Sequence, residues 1–232
     1  MISITREQLQ SLAPNPQAIY ASAFTEADDV LAKYGINETP LRVAHFMAQV
    51  LHESGLLRVK QESMNFTPQG LMETFGPKRI TIAQAQQLGR SGAQKANQQA
   101  IANLVYGGAW GLKNLGNTAP DDGWNFRGTG LLQMTGRDSR LRIGRALGID
   151  LIGSPELALD PRFVLYIACE EWHQKGCNPF ADADNIDRVT KLINGGNVGI
   201  DERRALLVRT KQVWLSGAPG SQPADFVRVT PA

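Results

Sequence analysis

Apolar residues recur along residues 39–55 at spacings of three and four, which is the periodicity of a helix face. Thr39 and Pro40 give a helix start signal, because threonine can cap free N–H groups and proline suits the first helical position. Further apolar residues between these positions predict a helix that is buried on most sides. Gly55 is suited to end the helix just after Glu53. We expect the rest of the chain to be organised around this helix.

The same periodicity predicts shorter helices along most of the remaining chain. Start and stop signals place them at about residues 5–12, 16–24, 25–34, 70–75, 81–88, 94–105, 138–147, 160–173, 187–193 and 201–215. Residues 131–135 are the candidate for a brief strand or extended run. The pattern predicts a mainly α-helical single domain over residues 1–216, followed by a flexible Pro- and Gly-rich tail at residues 217–232.

Residues 106–130 differ from the rest because glycine is frequent and helix periodicity is weak. Such a long irregular segment in a compact chain is usually functional or mobile. It carries Trp110, Trp124 and Phe126, which either stack on a ligand or fold back onto the core.

Composition narrows the class of protein. The chain is 42% hydrophobic and 20% charged, which favours an ordered globular protein over a disordered one. A net charge of +2 is too small to argue for nucleic acid binding. The N-terminus lacks a basic segment followed by an apolar run, so no signal peptide is expected. No stretch approaches the roughly 18 apolar residues that a membrane helix needs.

The cysteines and histidines give little support for a metal site. We expect Cys169 and Cys177 to be two reduced, buried thiols, with a disulfide or a metal pair as the alternative. His45, His52 and His173 have no companions at a known metal-ligand spacing. We therefore predict neither a metal nor a cofactor.

Two glutamates with different surroundings are the strongest candidates for chemistry. Glu53 lies at the negative end of the predicted helix dipole and beside apolar residues. Both features disfavour the ionised carboxylate, so we expect Glu53 to hold its proton more tightly than an ordinary glutamate. Glu62 follows nine residues later in a mixed segment, where a surface salt bridge is the alternative. Two carboxylates in unlike environments can serve as a general acid and a general base.

Two further segments present polar groups close to glycines. Gln133 and Thr135 alternate with apolar residues, so on an extended run they face one side together. Polar groups presented in this way suit hydrogen bonding to a sugar or to an attacking water. Further on, Asn194 could cap a helix or bind a ligand, and Arg203 could pair with a carboxylate and hold it ionised. In each case the alternative is a turn with a surface charge cluster.

These pieces, in this order and at this spacing, resemble glycoside hydrolase family 19, the plant-type chitinase fold, and within it the bacteriophage endolysin branch. The matching motifs are HESG at residues 52–55 with Glu62, WNFRGTGLLQMTGR at residues 124–137, and INGG at residues 193–196. The resemblance covers about residues 5–215 and implies a bilobal, lysozyme-like α-helical fold with long cleft loops. Ser139 departs from the pattern, since an asparagine is common there, and so does Thr129, which replaces a frequent arginine.

The resemblance implies a role for each matching residue. Glu53 matches the general acid that protonates the leaving glycosidic oxygen, and Glu62 matches the general base that activates water. Thr135 matches a residue that helps to position this water. The resemblance also implies a substrate-binding set, of which Arg203 is the best match to an arginine that interacts with the base: His52, Gln133, Asn194 and Arg203. Family members invert the anomeric configuration, which requires carboxyl groups about 6.5–9.5 Å apart.

The function that the resemblance implies is hydrolysis of the β-1,4 glycosidic bonds of peptidoglycan by a muramidase-type endolysin. A chitinase acting on β-1,4 N-acetylglucosamine polymers is the main alternative. A non-catalytic wall-binding protein would have lost Glu53 or Glu62, and both are present. A lytic transglycosylase uses one acid and no water, so the presence of Glu62 and Thr135 argues against it.

The implied partners and location follow from an endolysin. We expect a monomer that binds peptidoglycan glycan strands and no nucleic acid. It would accumulate in the host cytoplasm and act in the periplasm and cell wall, after a separate holin lets it through the membrane. A thin Gram-negative wall would suit a catalytic domain that fills nearly the whole chain.

Overall fold

The computed structural model describes residues 1–92 and 94–216, and helices dominate both ranges. The first seven helices are α1 Arg6–Leu12, α2 Ala18–Ala23, α3 Ala27–Lys33, α4 Pro40–Glu53, α5 Pro68–Phe75, α6 Ile82–Leu88 and α7 Gln98–Val105. The next seven are α8 Gly108–Leu115, α9 Asp122–Asn125, α10 Arg137–Leu147, α11 Val164–Gln174, α12 Asn178–Asp182, α13 Ile186–Asn194 and α14 Ile200–Trp214. Two short 3₁₀ helices cover Ile36–Glu38 and Pro155–Leu159. The tail predicted at residues 217–232 lies outside the described residues.

Several helices begin where the sequence predicts because a threonine caps them. The Thr39 side chain accepts a hydrogen bond from the backbone N–H of Arg42, and Pro40 occupies the first position of α4. Thr5 and Thr81 form capping boxes at the starts of α1 and α6. These helix starts are therefore confirmed, and local side-chain hydrogen bonds explain them.

The glycine-rich region is more regular than predicted. Residues 106–130 contain α8 and α9, so the expectation of a long irregular segment is wrong. Gly116 adopts a left-handed conformation with φ of 68° and ends α8, a position that glycine takes at little cost. Glycine flanks α8 and also lies inside α8 and α9, so frequent glycine here does not mean an absence of helix.

The expected strand at residues 131–135 is a turn. Gln133 has φ of +50°, which interrupts an extended run. Thr129 and Met134 form an isolated antiparallel bridge across this turn. The helix predicted from residue 94 begins only at Gln98, because the Asn97 side chain caps it.

The largest hydrophobic core surrounds α4. Every residue of α4 from Val43 to Leu51 is buried, as the sequence predicts. Helix α14 packs along it, and the Thr210 hydroxyl donates to the backbone oxygen of Ala44 at 2.9 Å. This packing fixes the position of the C-terminal end of α4, where Glu53 lies.

Two smaller cores complete the two-lobed body. One joins α5, α6 and α7 and includes Leu71, Phe75 and Ile101. The other joins α10 to α11 and includes Met134 and Ile143. The end of α4, the end of α7 and the turn before α10 converge on one cleft.

Cys169 and Cys177 are free and buried, as predicted. Burial raises the pKa of the Cys177 thiol to about 12, so it stays protonated near neutral pH. Within residues 1–92 and 94–216, no helix is long and apolar enough to cross a membrane.

Candidate active site

The cleft contains a cavity of about 390 Å³ that brings together side chains from distant parts of the chain. Five of the residues predicted as site residues line it: Glu53, Glu62, Gln133, Thr135 and Asn194. The other lining residues are Tyr106, Gly128, Leu132, Ser139, Glu171, Lys175 and Ile193. The two predicted carboxylates therefore share one space.

Glu53 is held by a charged partner from α14. Nη2 of Arg203 donates to Oε1 of Glu53 at 2.5 Å, and the two side chains are only 2% and 15% exposed, respectively. Nη1 of the same guanidinium donates to Oε1 of Gln49, one helical turn earlier on α4. Besides the apolar neighbours expected around Glu53, a buried guanidinium therefore faces it.

Glu62 is held mainly by the backbone of the glycine-rich turn. Its N–H donates to the oxygen of Gly128 at 2.8 Å, and the N–H of Gly130 donates to the oxygen of Lys60 at 2.9 Å. A Cβ atom added to Gly128 would lie 3.3 Å from Cβ of Glu62 and 2.9 Å from Oε1 of Gln133. Glycine therefore permits the close approach of these two segments.

Both carboxylate oxygens of Glu62 accept hydrogen bonds. The Tyr106 hydroxyl donates to Oε1 at 2.7 Å, and the Gly128 N–H donates to Oε2 at 3.3 Å. Burial raises the pKa of Glu62 above its ordinary value, whereas these two hydrogen bonds oppose the rise. Glu62 is therefore a partly buried carboxylate with fixed orientation, not the surface ion pair that was the alternative.

Gln133 and Thr135 both face the cavity, although the segment is a turn and not an extended run. The apolar residues that alternate with them, Leu132 and Met134, are buried. The Thr135 hydroxyl donates to the backbone oxygen of Gln133 at 2.8 Å, which leaves its lone pairs free to accept. The Gln133 amide nitrogen donates to the oxygen of Gly130 at 2.8 Å. Gln133 and Thr135 therefore share one face, as predicted, but a turn rather than an extended run brings them together.

Arg203 is not where the sequence placed it. The match to the family assigns it to the base, Glu62, whereas the structure pairs it with Glu53. The reason is the packing of α14 along α4, which brings one guanidinium against the side chains of both Gln49 and Glu53. Arg203 is absent from the cavity wall, so it positions Glu53 rather than contacting a ligand there.

His52 also lies off the cavity wall. Its ring packs so closely on Gly199 that a Cβ atom added there would lie 2.4 Å from Nε2. Burial and the charge of Arg203 lower the pKa of His52. Substrate binding by His52 therefore stays a prediction, whereas Asn194 does lie at the cavity, at the exposed end of α13.

Sequence reasoning missed four side chains of the cavity: Tyr106, Ser139, Glu171 and Lys175. Ser139 was noted only as a departure from the family pattern. Glu171 belongs to an adjacent pair of glutamates within the apolar run of α11, and a charged pair in such a run could have indicated an unusual environment. Tyr106 and Lys175 carry no comparable local signal.

The three aromatic side chains singled out between residues 106 and 130 differ in whether they fold back onto the protein or stay available to a ligand. Phe126 is buried, and Trp124 stacks on the Arg127 guanidinium at 3.4 Å from its ring centre. Trp110 is 37% exposed and lies against Tyr106 and Arg79. Of these three aromatic side chains, Trp110 is the most exposed, and it offers a surface for stacking.

A larger cavity elsewhere in the described residues offers no comparable chemistry. It has a volume of about 660 Å³ and is lined by Ile4, Thr5, Arg6, Leu9, Gln10, Pro16, Ala21, Ser22, Phe24 and Thr25. It contains no carboxylate, histidine or cysteine. Among the described residues, no group of three or more histidine, cysteine, aspartate or glutamate side chains is arranged to hold a metal ion. The cleft, in contrast, brings the carboxyl groups of Glu53 and Glu62 to one cavity, where they can exchange protons with a ligand.

Comparison with known proteins agrees with this geometry. No family model matches the chain. A protein of Haemophilus influenzae described as a glycosyl hydrolase family 19 domain-containing protein is 33% identical over 175 residues, which are 72% of this chain and 80% of that protein. The chain belongs to glycoside hydrolase family 19. The predicted family is therefore confirmed, and membership of this family supports a glycosidase activity.

Solved structures confirm the fold class. Chitinase C of Streptomyces griseus is 19% identical, with a TM-score of 0.60 over 94% of this chain and 95% of that chain. A bacterial family 19 chitinase is 18% identical, with a TM-score of 0.60 over 95% and 98%. A class IV chitinase of Zea mays is 14% identical, with a TM-score of 0.54 over 94% and 95%. The mainly α-helical, chitinase-like architecture is thus shared with these family 19 enzymes.

Proposed function

We propose that this family 19 protein hydrolyses the β-1,4 glycosidic bonds of peptidoglycan by general acid/base catalysis with inversion. The observation that carries the proposal is the presence of Glu53 and Glu62 on the wall of one polar cavity, each held by different partners. Two carboxyl groups with unlike surroundings are the minimum that an inverting glycosidase requires.

In this proposal Glu53 donates a proton to the leaving glycosidic oxygen. Donation leaves Glu53 ionised, and the Arg203 guanidinium stabilises that product through a charge-assisted hydrogen bond. Glu62 removes a proton from the attacking water. Its burial raises its pKa and so makes it a stronger base, while Tyr106 and the Gly128 N–H hold it in the accepting form.

The other cavity residues orient the substrate and the water. The hydroxyl of Thr135 can accept a hydrogen bond from the water, because its own proton goes to the Gln133 oxygen. Gln133 and Asn194 bind sugar hydroxyl or acetamido groups from the cavity wall. No metal or cofactor takes part in the proposed reaction.

Chitin is the second candidate substrate. It shares β-1,4-linked N-acetylglucosamine with peptidoglycan, and the family 19 structures of similar fold carry the name chitinase. The choice of peptidoglycan rests on the resemblance of the three motifs to the endolysin branch. In that setting the protein is a monomer made in the host cytoplasm, released to the periplasm through a separate holin, and used for host lysis.

Product analysis by mass spectrometry tests the proposal. The purified protein is incubated with peptidoglycan and, in parallel, with N-acetylglucosamine oligomers, with the Glu62→Gln variant as the control. Reducing N-acetylmuramic acid ends from peptidoglycan, with little action on the oligomers, support a muramidase-type enzyme. Efficient cleavage of the oligomers with intact peptidoglycan would make it a chitinase, and anhydro-sugar ends would contradict water activation by Glu62.

A further inference from the structure

A third carboxyl group, that of Glu171, lies on the cavity wall with Glu53 and Glu62. It projects from α11, and its side chain is only 8% exposed. The residues before it in α11 are largely apolar and buried. An acidic side chain is almost never so buried unless it is paired, so its hydrogen-bond partners matter.

The partners of Glu171 are incomplete. Its Oε1 lies 3.7 Å from Nζ of Lys175, which is beyond hydrogen-bond distance. That ammonium instead donates to the backbone oxygens of Leu192 and Ile193, at 2.8 Å and 3.1 Å. The Oε2 atom of Glu171 is buried and has no hydrogen-bond partner. One strong acceptor of a residue that lines the cavity therefore remains unused.

The adjacent residue Glu170 shows the contrast. It is equally buried on the same helix, but its Oε1 accepts a hydrogen bond from Nε2 of Gln174 at 2.6 Å, and it does not line the cavity. A buried acceptor without a partner loses its hydration and gains nothing in return. Because Glu171 lines the cavity, its carboxyl group can recover this loss when a ligand supplies a donor.

Three charged side chains act on Glu171. Lys175 on its own helix and Arg142 on α10 favour the ionised form, whereas Glu53 on α4 disfavours it. Burial dominates and raises the pKa of Glu171 to about 7. Both protonation states are therefore populated near neutral pH.

We propose that Glu171 is a glycan-binding residue of the cleft, whose carboxyl group accepts a hydrogen bond from a hydroxyl or amide N–H group of the bound sugar. This inference rests on the proposed glycosidase function and adds a contact that none of the three family motifs contains. Glu171 takes no proton from the reacting atoms. It contributes to substrate affinity on the side of the cleft formed by α11.

The test compares three variants of the full chain: Glu171→Leu, Glu171→Gln and Glu170→Gln. Leucine has a similar volume and no acceptor, glutamine keeps one neutral acceptor, and the Glu170 variant changes the neighbouring buried charge outside the cavity. KM, kcat and Tm are measured with the glycan that the unaltered protein cleaves. We expect KM to rise about tenfold for Glu171→Leu, less for Glu171→Gln, and not at all for Glu170→Gln.

The pH dependence provides a readout that a purely structural role would not move. An ionised carboxylate is a stronger acceptor than an amide, so the KM of the unaltered protein should fall relative to that of Glu171→Gln as the pH rises through about 7. The Tm of Glu171→Leu at neutral pH should not fall, because the variant removes a buried charge that lacks a full set of partners.

An unchanged KM for Glu171→Leu would overturn the inference. So would a lower Tm and a lower kcat without a change in KM, because these would indicate a structural role. Failure of the proposed function would look different: the unaltered protein would cleave neither peptidoglycan nor N-acetylglucosamine oligomers. An active protein whose KM does not depend on Glu171 would leave the proposed function standing and remove this inference alone.

Discussion

Glu53 and Glu62 line the same cavity, but different parts of the molecule hold them. Glu53 ends a buried helix, and its partner Arg203 comes from a second helix packed alongside. Glu62 lies in a short extended segment, and the partners of its carboxylate are a tyrosine hydroxyl and the backbone N–H of Gly128 in a glycine-rich turn. Side-chain charge organises the first region, and backbone hydrogen bonding organises the second.

This difference teaches how one cavity can hold a donor and an acceptor of protons. A guanidinium next to Glu53 stabilises the charge that remains after a proton is given away. Burial makes Glu62 a stronger base, because it raises the pKa by more than the two hydrogen bonds and the charges of Arg127 and Arg79 lower it. The surroundings therefore favour opposite proton transfers at the two carboxyl groups.

The largest expected effect comes from removing either carboxylate. Glu53→Gln and Glu62→Gln should each lower kcat on peptidoglycan by about 10³-fold, since each removes a group that transfers a proton in the reaction. Steady-state kinetics and a wall-binding assay should show retained binding in both variants. Appreciable residual lysis by either variant would remove that residue from the proposed mechanism.

The next largest expected effect is a loss of stability when the buried ion pair of Arg203 is removed, compared with removal of a surface ion pair. Arg203→Met should destabilise the fold by about 3–5 kcal/mol, because it leaves Glu53 and Gln49 without their charged partner in a buried place. Arg204→Met is the matched control, since Arg204 pairs with the exposed side chains of Asp187 and Asp201, which should contribute about 0–1 kcal/mol. Chemical denaturation measures both values. Equal losses would contradict the role assigned to the α4–α14 contact.

A smaller effect is expected on the pH–rate profile when the surroundings of Glu62 are changed. Tyr106→Phe removes a hydrogen bond that lowers the pKa of Glu62, so that pKa should rise further. Because the base must be ionised, the acidic limb of the pH–rate profile should move to higher pH. Tyr20→Phe is the control, since it loses a hydrogen bond of similar length to the Val59 oxygen. An acidic limb that stays in place, or that moves to lower pH, would show that Tyr106 does not lower the pKa of Glu62.

The smallest effect is on stability. The pKa of Glu62 in the folded protein is raised above its unfolded value of about 4.5, so ionisation of Glu62 costs folding free energy above that pH. Glu62→Gln should therefore raise Tm at neutral pH, and the gain should shrink as the pH falls towards about 4.5 and vanish below it. Calorimetry across this range measures the difference. A gain that persists at low pH would show that the charge of Glu62 is not its cause.

The two regions also differ in how far the sequence predicts them. Helix α4 and the position of Glu53 follow from local signals, namely the cap at Thr39 and the apolar periodicity. The partner of Glu53 does not, because it depends on how α14 lies along α4. The identity of Arg203 as a carboxylate partner was predictable, but which carboxylate it meets is a property of the packing.

Around Glu62 the sequence predicts less. The bridge between Gln61 and Thr129 joins residues far apart in the chain, so no local periodicity reveals it. Glycines also misled the prediction for α8 and α9, because Gly111 and Gly123 lie inside these helices and Gly116 ends α8. Tertiary contacts decide the geometry in this region.

One measurement tests the division of roles most directly. The substrate is a glycan oligosaccharide that the unaltered protein cleaves, with a dinitrophenyl leaving group, which departs without protonation. We predict that Glu53→Gln cleaves it within about tenfold of the unaltered rate, because no acid is needed. Glu62→Ala should stay inactive until azide is added as a replacement nucleophile. Activity of Glu62→Ala without azide, together with an inactive Glu53→Gln, would reverse the assignment and contradict the account.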